Sequence, residues 1–103
     1  MVRGTTPSIV FSVNESFNLA TIKELWLTLK NNVHERTFTK SEVSIHQQRH
    51  TITVTLTQEE TLAFKVLDDC EAQIRFLDLD DKAYATNIVK IRVDRILKEG
   101  VIE

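Results

Sequence analysis

Thr51-Ile52-Thr53-Val54-Thr55-Leu56-Thr57-Gln58-Glu59-Glu60 is the stretch whose reading decides the fold. Ile52, Val54 and Leu56 alternate with Thr51, Thr53 and Thr55. In an extended strand that period of two puts the aliphatic residues on one face and the threonines on the other. β-Branched residues also suit a pleated, half-covered surface. Val54 is therefore expected in the core, and the threonine face is read as solvated, as is common for antiparallel sheets. At Thr57 the pattern changes. Thr57 and Glu60 have the spacing of a capping box, in which the hydroxyl accepts from the amide at 60 and the carboxylate reaches back to the amide at 57. A short helix over 57–64 should follow, burying Leu62 or Phe64.

Downstream, Asp68-Asp69 ends this excursion. Ala72, Ile74 and Phe76 then alternate with Gln73 and Arg75, which predicts a strand over 71–77 with Ile74 buried. An acidic turn over 78–82 leads back through Ala83, Ala85, Val89, Ile91 and Val93 as a second hairpin arm. Leu97, Val101 and Ile102 are expected to pack back in part, while the last residues fray. Upstream, Val43 and Ile45 share a face, and Gln47-Gln48-Arg49-His50 reads as a connection. Ile22 to Lys30 carries two readings. Leu25, Leu27 and Leu29 alternate as in a strand with Trp26 on the opposite face, whereas Ile22, Leu25, Trp26 and Leu29 have helical spacing. Asn31-Asn32 supplies a turn, and Val33, Glu35, Thr37 and Thr39 answer it, which favours a hairpin of two strands. Ile9, Phe11 and Val13 form one more strand face behind Pro7, and Phe17 is placed to plug an end of the core. About seven short strands, with turn signals every 8–12 residues or so, make the pattern of an antiparallel β-sandwich. The organisation expected is a flexible arm over 1–6, a domain over 7–97 and a tail over 98–103.

One domain is what 103 residues allow. The single Cys70 cannot form an internal disulfide, so the fold does not depend on an oxidising compartment. A net charge of −2 lacks the basic footprint that displaces counterions from nucleic acid. No apolar run approaches the roughly 20 residues needed to cross a bilayer. No apolar segment of a secretory signal follows Arg3, so no signal peptide is expected.

Candidate sites divide as follows. His46 and His50 are four apart, a zinc-ligand spacing on a helix but not on a strand leading into a loop, and Gln47 stands where such a motif needs glutamate. His34 is distant and falls in an exposed hairpin. Asp78, Asp80 and Asp81 begin like a calcium loop, but Ala83 and Val89 occupy its glycine and glutamate positions. No metal and no cofactor are expected. Cys70 lies among Asp68, Asp69 and Glu71, which would raise its thiol pKa, so a buried structural role is expected. Only Gly4 and Gly100 are present, so there is no phosphate loop, and no nucleophile, base and orienter set is legible; an enzyme is not expected. Trp26 is the open question. On the outer face of its strand it is either covered by the helix, Phe17 or the arm, or it is an exposed interface anchor, and the general rule that large apolar residues find burial favours the first.

Arg3-Gly4-Thr5-Thr6-Pro7, Ile22-Lys23-Glu24-Leu25-Trp26-Leu27-Thr28-Leu29, the run from Thr51 through Leu62 and Ile96-Leu97-Lys98-Glu99-Gly100-Val101-Ile102 together carry a resemblance. The chain resembles small, uncharacterised proteins encoded by phages and prophages of Gram-positive bacteria, almost end to end and most specifically over 56–62. More loosely it is similar to the immunoglobulin-like N-terminal domain of phage upper-baseplate proteins. That resemblance implies an all-β, immunoglobulin-like sandwich with a virion, tail or baseplate role, in the host bacterial cytoplasm during assembly and then in the virion. It brings no mapped functional residues. The partners it implies are proteins, either a second copy or another phage structural protein, and neither nucleic acid nor membrane. The alternative is a small intracellular regulatory or host-factor-binding protein acting through the same face.

Overall fold

Alternation of apolar and polar side chains becomes eight strands and one short helix among the residues described by the computed structural model, 1–64 and 69–103. Asp68, expected to end the helical excursion and to neighbour Cys70, lies outside the described residues. In chain order the elements are β1 (Ser8–Ser12), β2 (Ile22–Lys30), β3 (Glu35–Thr39), β4 (Ser44–His46), β5 (Thr51–Thr55), α1 (Gln58–Ala63), β6 (Cys70–Asp78), β7 (Ala83–Ala85) and β8 (Val89–Ile91). Single 3-10 turns cover Leu19–Thr21 and Lys40–Glu42.

All strand pairs in the sheets are antiparallel. One sheet has the order β1-β5-β4; the other runs β3-β2-β6, with β7 and β8 both lying along the far side of β6. This is an all-β sandwich. Its orders match the B-E-D and C′-C-F-G sheets of immunoglobulin-like domains, with β1 in the place of strand B. Core residues come from both sheets: Ile52, Val54 and Leu56 from one, and Leu25, Leu27, Leu29, Phe38, Ala72, Ile74 and Phe76 from the other. Where immunoglobulin domains bury a tryptophan from strand C, β2 buries three leucines and turns Trp26 outward.

The ambiguous segment 22–30 is a strand because it is paired on both sides, with Leu27 facing Phe38 on β3 and Ile74 on β6. The capping box forms, with Thr57 Oγ1 accepting from the Glu60 amide at 3.1 Å and Glu60 Oε1 accepting from the Thr57 amide at 2.8 Å. Phe64, just past α1, is fully buried, while Leu62 is only partly so. Phe17 meets Phe76 and Tyr84 edge-on at centroid distances of 5.3 and 5.6 Å and closes one end of the core.

Two facings that the alternation left open are decided by the structure, and two expectations need correction. The hairpin of β2 and β3 forms, and on β3 the inward residues are Arg36 and Phe38, while Glu35, Thr37 and Thr39 point away from the core. Arg36 lies over the Phe38 ring, 4.1 Å from its centroid, and its half-buried guanidinium pairs with Glu42 at 2.7 Å and Glu60 at 2.9 Å. On the returning hairpin arm Tyr84 faces the core opposite Phe76, while Ala83 and Ala85 point out and Val89 is exposed. The arm is broken there: Thr86 bonds Ile74 through its amide (2.9 Å) and its hydroxyl (3.0 Å), and the register then slips by one residue before β8. The first correction concerns Leu97, which is 96% exposed, so Val93 rather than the final residues completes the core. The second concerns residues 1–6. They do not hang free, because Val2 bridges Asp94 and Arg3 is only 5% exposed.

Candidate interaction surface

The outer face of the larger sheet follows from the same alternation that builds the core. With Leu25 and Leu27 inward, Glu24, Trp26 and Thr28 must point out; with Ile74 and Phe76 inward, Gln73, Arg75 and Leu77 must do so too. Register then sets them side by side, Trp26 next to Arg75 and Thr39, and Leu77 next to Ala83. The Arg75 guanidinium carbon lies 5.7 Å from the centre of the Trp26 ring. Trp26 is 53% exposed. Between these side chains runs an open groove of about 290 Å³, lined outwardly by Glu24, Trp26, Arg75, Leu77 and Ala83.

The expectation that Trp26 is covered is therefore overturned. Each proposed cover is engaged elsewhere: Phe17 with Phe76 and Tyr84, Thr61 of α1 with the Thr5 carbonyl at 3.0 Å, and Met1 with the Arg92 carbonyl at 2.6 Å. What remains is a rigid aromatic flanked by one cation and one carboxylate. Such a face can bury apolar area against a partner while its charges select orientation.

The other candidate residues are scattered. His46 ends β4 and is exposed; His50 follows in a tight turn with positive φ (50°), and its Nδ1 has no partner. His34 is not an exposed hairpin residue, since its ring stands edge-on to Phe64 at 4.8 Å. Among the described residues no three His, Cys, Asp or Glu side chains converge as a ligand set. Asp78 organises its turn by accepting from the Asp80 and Lys82 amides, both at 2.9 Å, and from the Tyr84 hydroxyl at 3.2 Å. The Lys82 amide first, then that of Asp80, holds the Asp78 carboxyl below its ordinary range.

Cys70 is fully buried, and burial first, the Glu71 charge less, pushes its thiol up to about 11. Ellman's reagent should therefore react with native protein near neutral pH only as fast as the fold opens, and at once in denaturant. The raised value also sets a pH dependence. The contribution is complete below the ordinary thiol value of 9.0 and is lost as pH rises through about 11, because the unfolded chain ionises first. Denaturation midpoints across that window should fall in the wild type more than in Cys70→Ala.

Sequence reasoning missed Arg3. Its Nε donates to the Phe64 carbonyl at 2.7 Å, its Nη2 to the Leu62 carbonyl at 2.8 Å, and its Nη1 to Glu99 at 2.5 Å. It thereby satisfies the carbonyls left open at the end of α1, where a cation is favoured, and ties the opening residues to the closing ones. The one available signal was the lone charge in an otherwise uncharged opening. Gly4 at φ 73° turns the chain beside it, where a side chain would also crowd Ile96.

Compared with models of known protein families and with curated proteins, the chain finds no match. Among the described residues no helix is long and apolar enough to cross a membrane.

Proposed function

We propose that the chain is a non-enzymatic contact module of a phage or prophage particle, associated with tail or baseplate, that docks another structural protein. The exposure of Trp26 beside Arg75, on strands paired on both sides, carries the contact reading. Tryptophan and arginine are among the side chains most enriched at positions that dominate interface energies, and a paired sheet holds their backbone with no loop to order on binding. The phage setting is supported by the resemblance of the four sequence stretches described above. The partner buries Trp26, Leu77 and Ala83 and meets Glu24 and Arg75 at the rim.

The test is capture of the products of neighbouring phage genes by the purified chain, with affinities measured for wild type and Trp26→Ala. Truncation should weaken binding by ~2 kcal/mol or more, roughly thirtyfold. Circular dichroism and thermal unfolding should stay near wild type, because the side chain projects from the sheet and the leucines behind it are untouched. Equal capture by the variant, or capture of none of those products by the wild type, would reject the reading.

A further inference from the structure

Immunoglobulin-type sheets of order A-B-E-D cover strand B with strand A. Here nothing among the described residues pairs with the outer side of β1. The Leu56 amide bonds the Pro7 carbonyl at 3.0 Å and the Val13 amide bonds the His50 carbonyl at 2.8 Å, so the odd-numbered residues of β1 face β5. Antiparallel pairing alternates, which leaves the amides and carbonyls of Ser8, Val10 and Ser12 pointing away from the sheet. Val10 is 59% exposed.

The equivalent edge of β3 is closed. The His34 carbonyl takes the Asn31 amide at 2.9 Å, so Glu35, Thr37 and Thr39 are the residues turned outward there. The Arg36 guanidinium takes the Thr37 carbonyl, and Glu42 Oε1 takes the Thr39 amide at 3.0 Å. Strands β4, β7 and β8 have three residues each, too short to template a partner. Charged side chains and short strands are the usual protections of an exposed edge. Ser8-Ile9-Val10-Phe11-Ser12 has neither a charge nor an internal proline.

We propose that β1 pairs antiparallel with β1 of a second copy of this chain about a two-fold axis at Val10, joining two three-stranded sheets into one of six. Charge and pattern both select a second copy. The strand reads the same from either end in polarity, so two-fold pairing sets Val10 against the partner's Val10 and Ser8 against the partner's Ser12. It also sets Ile9 against the partner's Phe11. No like charges meet, as they need not in an uncharged strand. Val10 and its mate exchange both central hydrogen bonds, and Ile9 and Phe11, only partly buried in one copy, cover each other. This interface lies on the smaller sheet and does not involve Trp26.

Sedimentation equilibrium of the full chain from micromolar to millimolar concentration should show a reversible dimer. Val10→Pro deletes the two central bonds yet suits an edge position whose amide faces solvent, so the monomer keeps its fold and the dimer weakens by roughly thirtyfold or more. Val10→Lys opposes two like charges and should dimerise poorly at low salt, with partial recovery at high salt. It also decides the matter if Val10→Pro fails to fold. Trp26→Ala should dimerise as the wild type does, which separates this interface from the docking face. A wild type that remains monomeric throughout, Val10 variants that dimerise undiminished, or a dimer lost with Trp26→Ala instead, overturns the proposal.

Discussion

Ile74→Ala and Val54→Ala should each lower the free energy of unfolding by about 2–4 kcal/mol in a urea titration, with Ile74→Ala at the upper end. Both side chains are buried almost completely, and they come from opposite sheets. Ile74 faces Leu27 across β2, and its backbone holds Thr86 at the break between β7 and β8. Val54 faces Ile9 on β1. Truncation removes three carbons from the first and two from the second, and neither cavity can close, because each strand is held by neighbours on both sides. The slope of the titration should not change, since the surface exposed on unfolding is nearly the same. A loss below about 0.5 kcal/mol at both positions, ordinary for surface substitutions, would mean that the inner and outer faces are exchanged.

Arg3→Ala should be comparably damaging, at about 2–4 kcal/mol, although the residue lies third from the start of the sequence. Substitution strips the Leu62 and Phe64 carbonyls of charged donors, and the Phe64 carbonyl is buried with its residue. It also loosens residues 1–6, whose other ties include the Met1 bond to the Arg92 carbonyl, the Val2 bridge to Asp94 and the Thr5 carbonyl bonded by Thr61. Arg3→Lys should recover little. An ammonium is a compact point charge, whereas the guanidinium reaches two carbonyls and a carboxylate at once through its planar fork. Thermal unfolding should show a drop of roughly 10–20 °C for Arg3→Ala. An effect within about 0.5 kcal/mol would mean that the opening residues do not contribute to the fold, as a flexible arm would not.

These two results probe opposite kinds of information. The burial of Val54 and Ile74 is written locally, as a period of two in β-prone residues, and such a pattern survives any arrangement of strands that buries one face. The same holds for the Thr57 and Glu60 cap, which satisfies its own backbone within four residues and needs no tertiary partner. Arg3 is legible only once α1 and the closing residues stand beside it, because its three acceptors lie 59, 61 and 96 residues away. The inward facing of Arg36 and Tyr84 was not legible for a related reason. Each sits among smaller or β-prone residues, and alternation alone does not say which of the two sets turns inward. Facing is set by register with β2 and β6, however, and long side chains with polar ends can lie inward when Glu42, Glu60 or Asp78 meets the tip.

By itself, then, the sequence determined an all-β sandwich, a capped helix, the main inward faces and the outward direction of Trp26, since each follows from periodicity within one segment. Tertiary structure alone decided whether Trp26 was covered. That depended on where α1, Phe17 and residues 1–6 came to rest, and all three are held by contacts distant in sequence. It alone decided too that β3 has a closed edge and β1 an open one. The amides and carbonyls of an edge strand are identical in every residue but proline, so their availability is a property of what lies beside the strand, which no pattern within it records.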